Sequence, residues 1–142
     1  MRELLDAILS ALEAGGSAML CTIVSRAGTT PRGVGVAMVL DESGAQAGTV
    51  GGGEAEHLVR QDALALLQAR SSEIRTYPIH SGAAECCGEH HGGSITVLFR
   101  SFAGEEGKRL AKRARTVLEH EEGYLVCKVT DGKPGESEVV LA

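Results

Sequence analysis

Two thiols, two imidazoles and two carboxylates crowd into the nine residues Glu85-Cys86-Cys87-Gly88-Glu89-His90-His91-Gly92-Gly93. Such a cluster offers two chemistries. Cys and His suit zinc or copper, so Cys86, Cys87, His90 and His91 form a candidate metal-ligand set. Adjacent cysteines, however, chelate one tetrahedral ion poorly, and no second ligand pair with familiar spacing occurs elsewhere. The alternative is a reactive thiol. A cysteine in a glycine-bounded polar loop beside imidazoles has an increased thiolate fraction, and the thiolate is the attacking form. Cys87 and Cys86 are therefore candidate catalytic thiols, with an inert loop thiol as the competing reading.

Parts for holding an oxyanion lie elsewhere. In Gly28-Thr29-Thr30-Pro31-Arg32-Gly33-Val34-Gly35, Thr29 and Thr30 offer hydroxyls and Pro31 stiffens the chain. Arg32 adds a planar fork that pairs with phosphate or carboxylate at two points. Further on, Gly48-Thr49-Val50-Gly51-Gly52-Gly53-Glu54 leaves a predicted strand and enters a predicted helix. The unpaired N–H groups of a first helical turn bind anions, so Gly51, Gly52 and Gly53 are candidate ligand-binding positions. Glu54 and Glu56 already bring negative charge there, as ordinary helix stabilisers do. Neither a phosphate-binding Walker loop nor a dinucleotide fingerprint is present. Close packing of the glycines, and an exposed or salt-bridged Arg32, are the structural alternatives.

The elements that must position these loops follow from periodicity. Leu4, Leu5, Ile8, Leu9 and Leu12 recur at helical spacing, and Gly15-Gly16 stops that helix before an apolar strand at residues 18–24. Residues 36–40 and 45–50 read as a hairpin around Asp41-Glu42-Ser43-Gly44. Ala55, Leu58, Val59, Ala63, Leu66 and Leu67 mark one face of a helix running to residue 69. Strands at 74–79 and 95–99, a helix at 104–120 and a strand at 124–129 complete the order. Both hairpin and crossover connections are implied. The expected fold is therefore α/β or α+β, a single domain with a mixed β-sheet flanked by about three helices.

With a shift of 106 residues, Leu12-Glu13 falls on Leu118-Glu119, Cys21 on Cys127 and Ile23 on Val129, so residues 104–142 read as the start of a second repeat. The apolar end Val139-Val140-Leu141-Ala142 suits a domain excised from a longer polypeptide. Its strand edge predicts a homodimer, since an uncovered edge is a template for pairing.

Composition excludes several classes. The 142 residues are 43% hydrophobic, enough for one core, but only 3% aromatic with no Trp. A net charge of −5 argues against nonspecific nucleic-acid binding. Lys108, Arg109, Lys112, Arg113 and Arg115 do crowd one predicted helix, where Leu110, Ala114, Val117 and Leu118 supply the buried stripe and the charges read as a solvated face. No apolar run approaches the roughly twenty residues of a membrane span, and Met1-Arg2-Glu3-Leu4-Leu5-Asp6 is not signal-like. A cytoplasmic protein with reduced thiols is expected, Cys21 and Cys127 lying in apolar strands.

The first strand, the Gly-Thr-Thr-Pro-Arg loop, the Val-Ala-Met-Val strand and Gly-Thr-Val-Gly-Gly-Gly-x-x-Glu together resemble the N-terminal domain of the XdhC/CoxI family, best over residues 1–100. Members are accessory proteins for molybdenum hydroxylases such as xanthine dehydrogenase, carbon monoxide dehydrogenase and aldehyde oxidoreductases. The resemblance implies a maturation factor, a cofactor-binding chaperone rather than an enzyme. It would hold the molybdenum cofactor, a phosphate-bearing pyranopterin, and support its sulfuration and insertion into the apoenzyme, with a sulfur donor such as a cysteine desulfurase as a second partner. Thr29, Thr30, Arg32 and the Gly51, Gly52 and Gly53 amides would engage its anionic part, and Cys87 would handle sulfur. One departure stands out. The family's Cys-Gly-Gly is interrupted here, Glu89-His90-His91 separating Cys87-Gly88 from Gly92-Gly93. The rival is a thiol- or metal-dependent enzyme built on that loop, or a noncatalytic interaction module.

Overall fold

The structure is a computed structural model that describes residues 1–28, 33–79 and 93–141. In chain order its elements are α1 (Arg2–Glu13), β1 (Ala18–Ala27), β2 (Ala37–Asp41), β3 (Gln46–Gly48), α2 (Gly53–Ala69), β4 (Glu73–Pro78), β5 (Ser94–Phe102), α3 (Gly104–His120), β6 (Gly123–Thr130) and β7 (Lys133–Leu141). Five strands form one sheet in the order β3-β2-β1-β5-β4, and β6 pairs with β7 in a separate two-stranded sheet. The α+β alternative is the one adopted, with antiparallel pairing throughout.

The alternation of side chains along β1 explains the layers. Met19, Cys21 and Ile23 point to one face, where they meet Met38 and Leu40 of β2, Val97 and Phe99 of β5, and Val59, Ala63, Leu66 and Leu67 of α2. Ala18 and Leu20 point to the other, against Leu5, Ile8 and Leu12 of α1, Phe102, and Ala111 and Ala114 of α3. Both faces of the sheet are thus covered by helices, which is why β1 reads as an almost continuous apolar run. Few aromatics serve this core. Phe99 and Tyr77 meet edge-on with ring centroids 6.3 Å apart, and the Tyr77 hydroxyl donates to Asp62, tying α2 to β4.

The expected hairpin at residues 36–50 is present, its turn held by Asp41 Oδ1, which accepts from Ser43 N–H at 2.9 Å and Ala45 N–H at 3.0 Å. Gly48 closes this region at φ 76°, and a Cβ there would come within 2.6 Å of the Ala37 carbonyl oxygen. From β3, at one edge of the sheet, α2 then carries the chain to β4 at the opposite edge.

The C-terminal region differs from expectation. Beyond β6 the chain turns at Asp131 (φ 52°) and Gly132 (φ 74°) and returns as β7 from Lys133. Two successive positive φ values are what a tight hairpin needs, and Asp-Gly is a favoured pair for it. Pro134-Gly135 obscures the second strand in the sequence, because proline is confined to strand edges and β7 is an edge strand. Helix and strand recur in the order α3–β6 as in α1–β1, although β1 is central to the main sheet and β6 lies outside it.

Candidate functional site

The described residues that flank the sequence features leave the main sheet toward one end. Ala27 at the end of β1 pairs with Ser94 at the start of β5, and Ser94 pairs with Pro78 at the end of β4. Ile79 N–H continues this ladder to the Gly93 carbonyl at 2.7 Å. On the other side, Gly35 and Val36 exchange hydrogen bonds with Ile23 at 2.8 and 2.9 Å, and Gly48 of β3 pairs with Met38. The chain therefore leaves β1, β3 and β4 at the same end, and residues 28, 33, 79 and 93 flank the site there. Thr29, Thr30 and Arg32, and Cys86, Cys87, His90 and His91, lie outside the described residues.

Gly51, Gly52 and Gly53 are described in full. Their φ values are 126°, 76° and 67°, and Gly52 also has ψ −169°, a combination essentially restricted to glycine. The run is needed for backbone conformation rather than close packing. A Cβ on Gly52 or Gly53 would meet nothing within 4 Å among the described residues.

The turn is stabilised from within by Glu56, one turn into α2. Its Oε1 accepts from the Thr49 hydroxyl and from Val50 N–H at 3.0 Å, while Thr49 Oγ1 accepts from Gly51 N–H at 3.0 Å. Burial pushes the Glu56 carboxyl up, but hydrogen bonds from Thr49, Val50 and Gly52 outweigh it and hold the group below the usual carboxylate range. A negative charge already satisfies this turn. What remains for an outside anion are the first amides of α2 itself, at Gly53 and the exposed Glu54, which have no intrahelical partner.

The thiols divide sharply. Cys21 is fully buried, and burial pushes its thiol up to about 12, so it is inert at neutral pH. Cys127, also expected in a buried strand, is only half-buried because β6 belongs to the peripheral hairpin. Among the described residues no group of His, Cys, Asp and Glu could hold a metal ion. No helix among them is long and apolar enough to cross a membrane.

Residues 11–78 match the model of the XdhC and CoxI family, a stretch from the last turn of α1 to the end of β4. It contains both glycine-rich loops, and the resemblance read from the sequence is borne out over that segment. A crystal structure of a Bacillus halodurans protein, described as a xanthine dehydrogenase, superposes with a TM-score of 0.71 at 19% identity, over 97% of this chain and 42% of that one. The likeness is one of fold, and the chain spans less than half the length of that protein. No curated protein sequence matches.

Proposed function

We propose, from the match of residues 11–78 to the XdhC and CoxI family model, an accessory role in the maturation of a molybdenum hydroxylase. In this reading the molybdenum cofactor is cargo, held by its anionic, phosphate-bearing part and passed to the apoenzyme. The observation that carries the proposal is that β1, β3 and β4 all exit toward the same end of the sheet, with no described residue within 4 Å of where a Cβ on Gly52 or Gly53 would lie.

The residues divide the work. The first α2 amides and the helix dipole attract an anion, while Thr49 and Glu56 hold the turn rigid so that these amides need no rearrangement. Thr29, Thr30 and Arg32 would add hydroxyls and a charged fork from the loop after β1. Cys87, with Cys86, would serve sulfur transfer, the sulfur arriving from a donor such as a cysteine desulfurase. The reading places the chain in the cytoplasm as a homodimer, a non-enzymatic domain of a longer protein.

Isolated molybdenum cofactor decays oxidatively, so protection by the purified chain is the direct test. Arg32→Ala should weaken binding about tenfold or more, as loss of a charge-assisted hydrogen bond does, with no change in melting temperature. Absence of protection by the chain and by any longer parent removes the proposal. Stoichiometric zinc or copper in the purified protein would favour the metal-dependent enzyme instead.

A further inference from the structure

At the far end of α2 from the glycine turn, a cleft of about 430 Å³ is lined by four arginines: Arg70 at the α2 C-cap, Arg100 of β5, and Arg109 and Arg113 of α3. A helix of 17 residues is about 25 Å long, so one small molecule cannot reach both places. The charges of α3, read from the sequence as a solvated face, are not equivalent, although Arg109, Lys112 and Arg113 are exposed. Lys108 pairs with Glu105 at 3.8 Å, and Arg115 with Asp6 and Glu119 at 2.6 and 2.9 Å. None of the four cleft arginines forms an ion pair with a described residue. Glu106 and Glu136 also line the cleft, leaving an excess of positive charge on a chain whose net charge is −5.

Two of the arginines are held in place. Arg100 Nε donates to Ser137 Oγ at 2.8 Å and Nη1 to the Ser101 carbonyl at 3.0 Å, and the guanidinium lies 5.7 Å from the Phe102 ring centroid. Its Nη2 has no described partner. Arg70 occupies the left-handed region at φ 52°, ψ 43°, where a helix C-terminus normally has glycine. Keeping a long cation at a strained position is informative, because such strain clusters at ligand sites. Ser72 adds a hydroxyl whose oxygen accepts from Ser101 N–H at 3.0 Å, which frees its proton for donation.

We propose that this cleft binds a small phosphate-bearing molecule. Guanidinium forks match phosphate oxygens at two points, several of them neutralise a multiply charged group, and the volume falls in the range of small-molecule pockets. The site is independent of the cofactor-handling reading above.

Calorimetric titration with inorganic pyrophosphate tests it on the full chain. Binding should be saturable and should weaken with added salt. Arg109→Glu and Arg113→Glu, both on the exposed side of α3, should each reduce affinity about tenfold or more. Lys112→Glu makes the same charge change outside the cleft and should leave affinity unchanged. Arg70→Gly should raise the melting temperature by relieving the left-handed strain, yet weaken pyrophosphate binding. No saturable binding at millimolar pyrophosphate, or equal losses in Lys112→Glu and Arg109→Glu, would overturn the proposal.

Discussion

Glu56 does at the start of α2 what an external anion would otherwise do, accepting hydrogen bonds from Thr49, Val50 and Gly52. Glu56→Ala should therefore destabilise the chain by about 1–2 kcal/mol, the range of a lost helix cap. The sign of the pH dependence follows from its depressed pKa. The folded value lies below the unfolded one, so this contribution is complete above the unfolded value of about 4.3 and is lost as pH falls through the folded value. In thermal melts the gap between wild type and Glu56→Ala should narrow on acidification to about pH 3. A gap that stays constant would mean that the carboxylate charge contributes nothing. The glycines of this turn were legible in the sequence, since three in succession at a strand-to-helix junction imply unusual φ. The reach of Glu56 was not. A glutamate in a first helical turn is an ordinary dipole partner, and only the joint spacing of Thr49, Gly52 and Glu56 hints at a closed capping network.

At the scale of elements, apolar periodicity made all three helices and the β2–β3 hairpin readable, because each buries one face against the sheet. The sheet order was less so. Nothing local in β4 or β5 says that α2 must cross from edge to edge, or that β5 rather than β4 lies beside β1. The β6–β7 hairpin lies outside the main sheet. Leu125 and Val139 reach the core, but Cys127 borders a cavity of about 200 Å³ between the hairpin and Leu20, Thr22 and Leu98 of the main sheet. Peripheral units open at lower free energy than the core. Brief iodoacetamide treatment near neutral pH should thus label Cys127 well before Cys21, which should react only on global unfolding. Equal rates, read by mass spectrometry, would mean that the hairpin is as firmly held as β1.

For the molecule as a whole, the outward face of that hairpin groups exposed apolar side chains, with Tyr124 65%, Val126 41% and Val140 40% exposed. If a second copy covers it, light scattering at high micromolar concentration should give a dimer, and Val126→Glu should give a monomer. A monomeric parent would rule this contact out. The central strand sets a different kind of limit. β1 pairs with β2 close by in sequence, but its other edge waits for β5, with Ala18 opposite Phe102. The family-matching stretch of residues 11–78 ends before β5 begins. A chain emerging from the ribosome can therefore form the β1–β2–β3 meander and α2 early, but β4 has no strand to join until β5 has been synthesised. Such distant pairing raises contact order and slows folding, because a large loop must close before its contacts stabilise it. A chain stopped at residue 93 should keep part of its helical signal in circular dichroism yet lack the cooperative thermal transition of the full chain, because β1 and β4 have no β5 to pair with. During synthesis, the bare edge of β1 would be the segment in need of a chaperone.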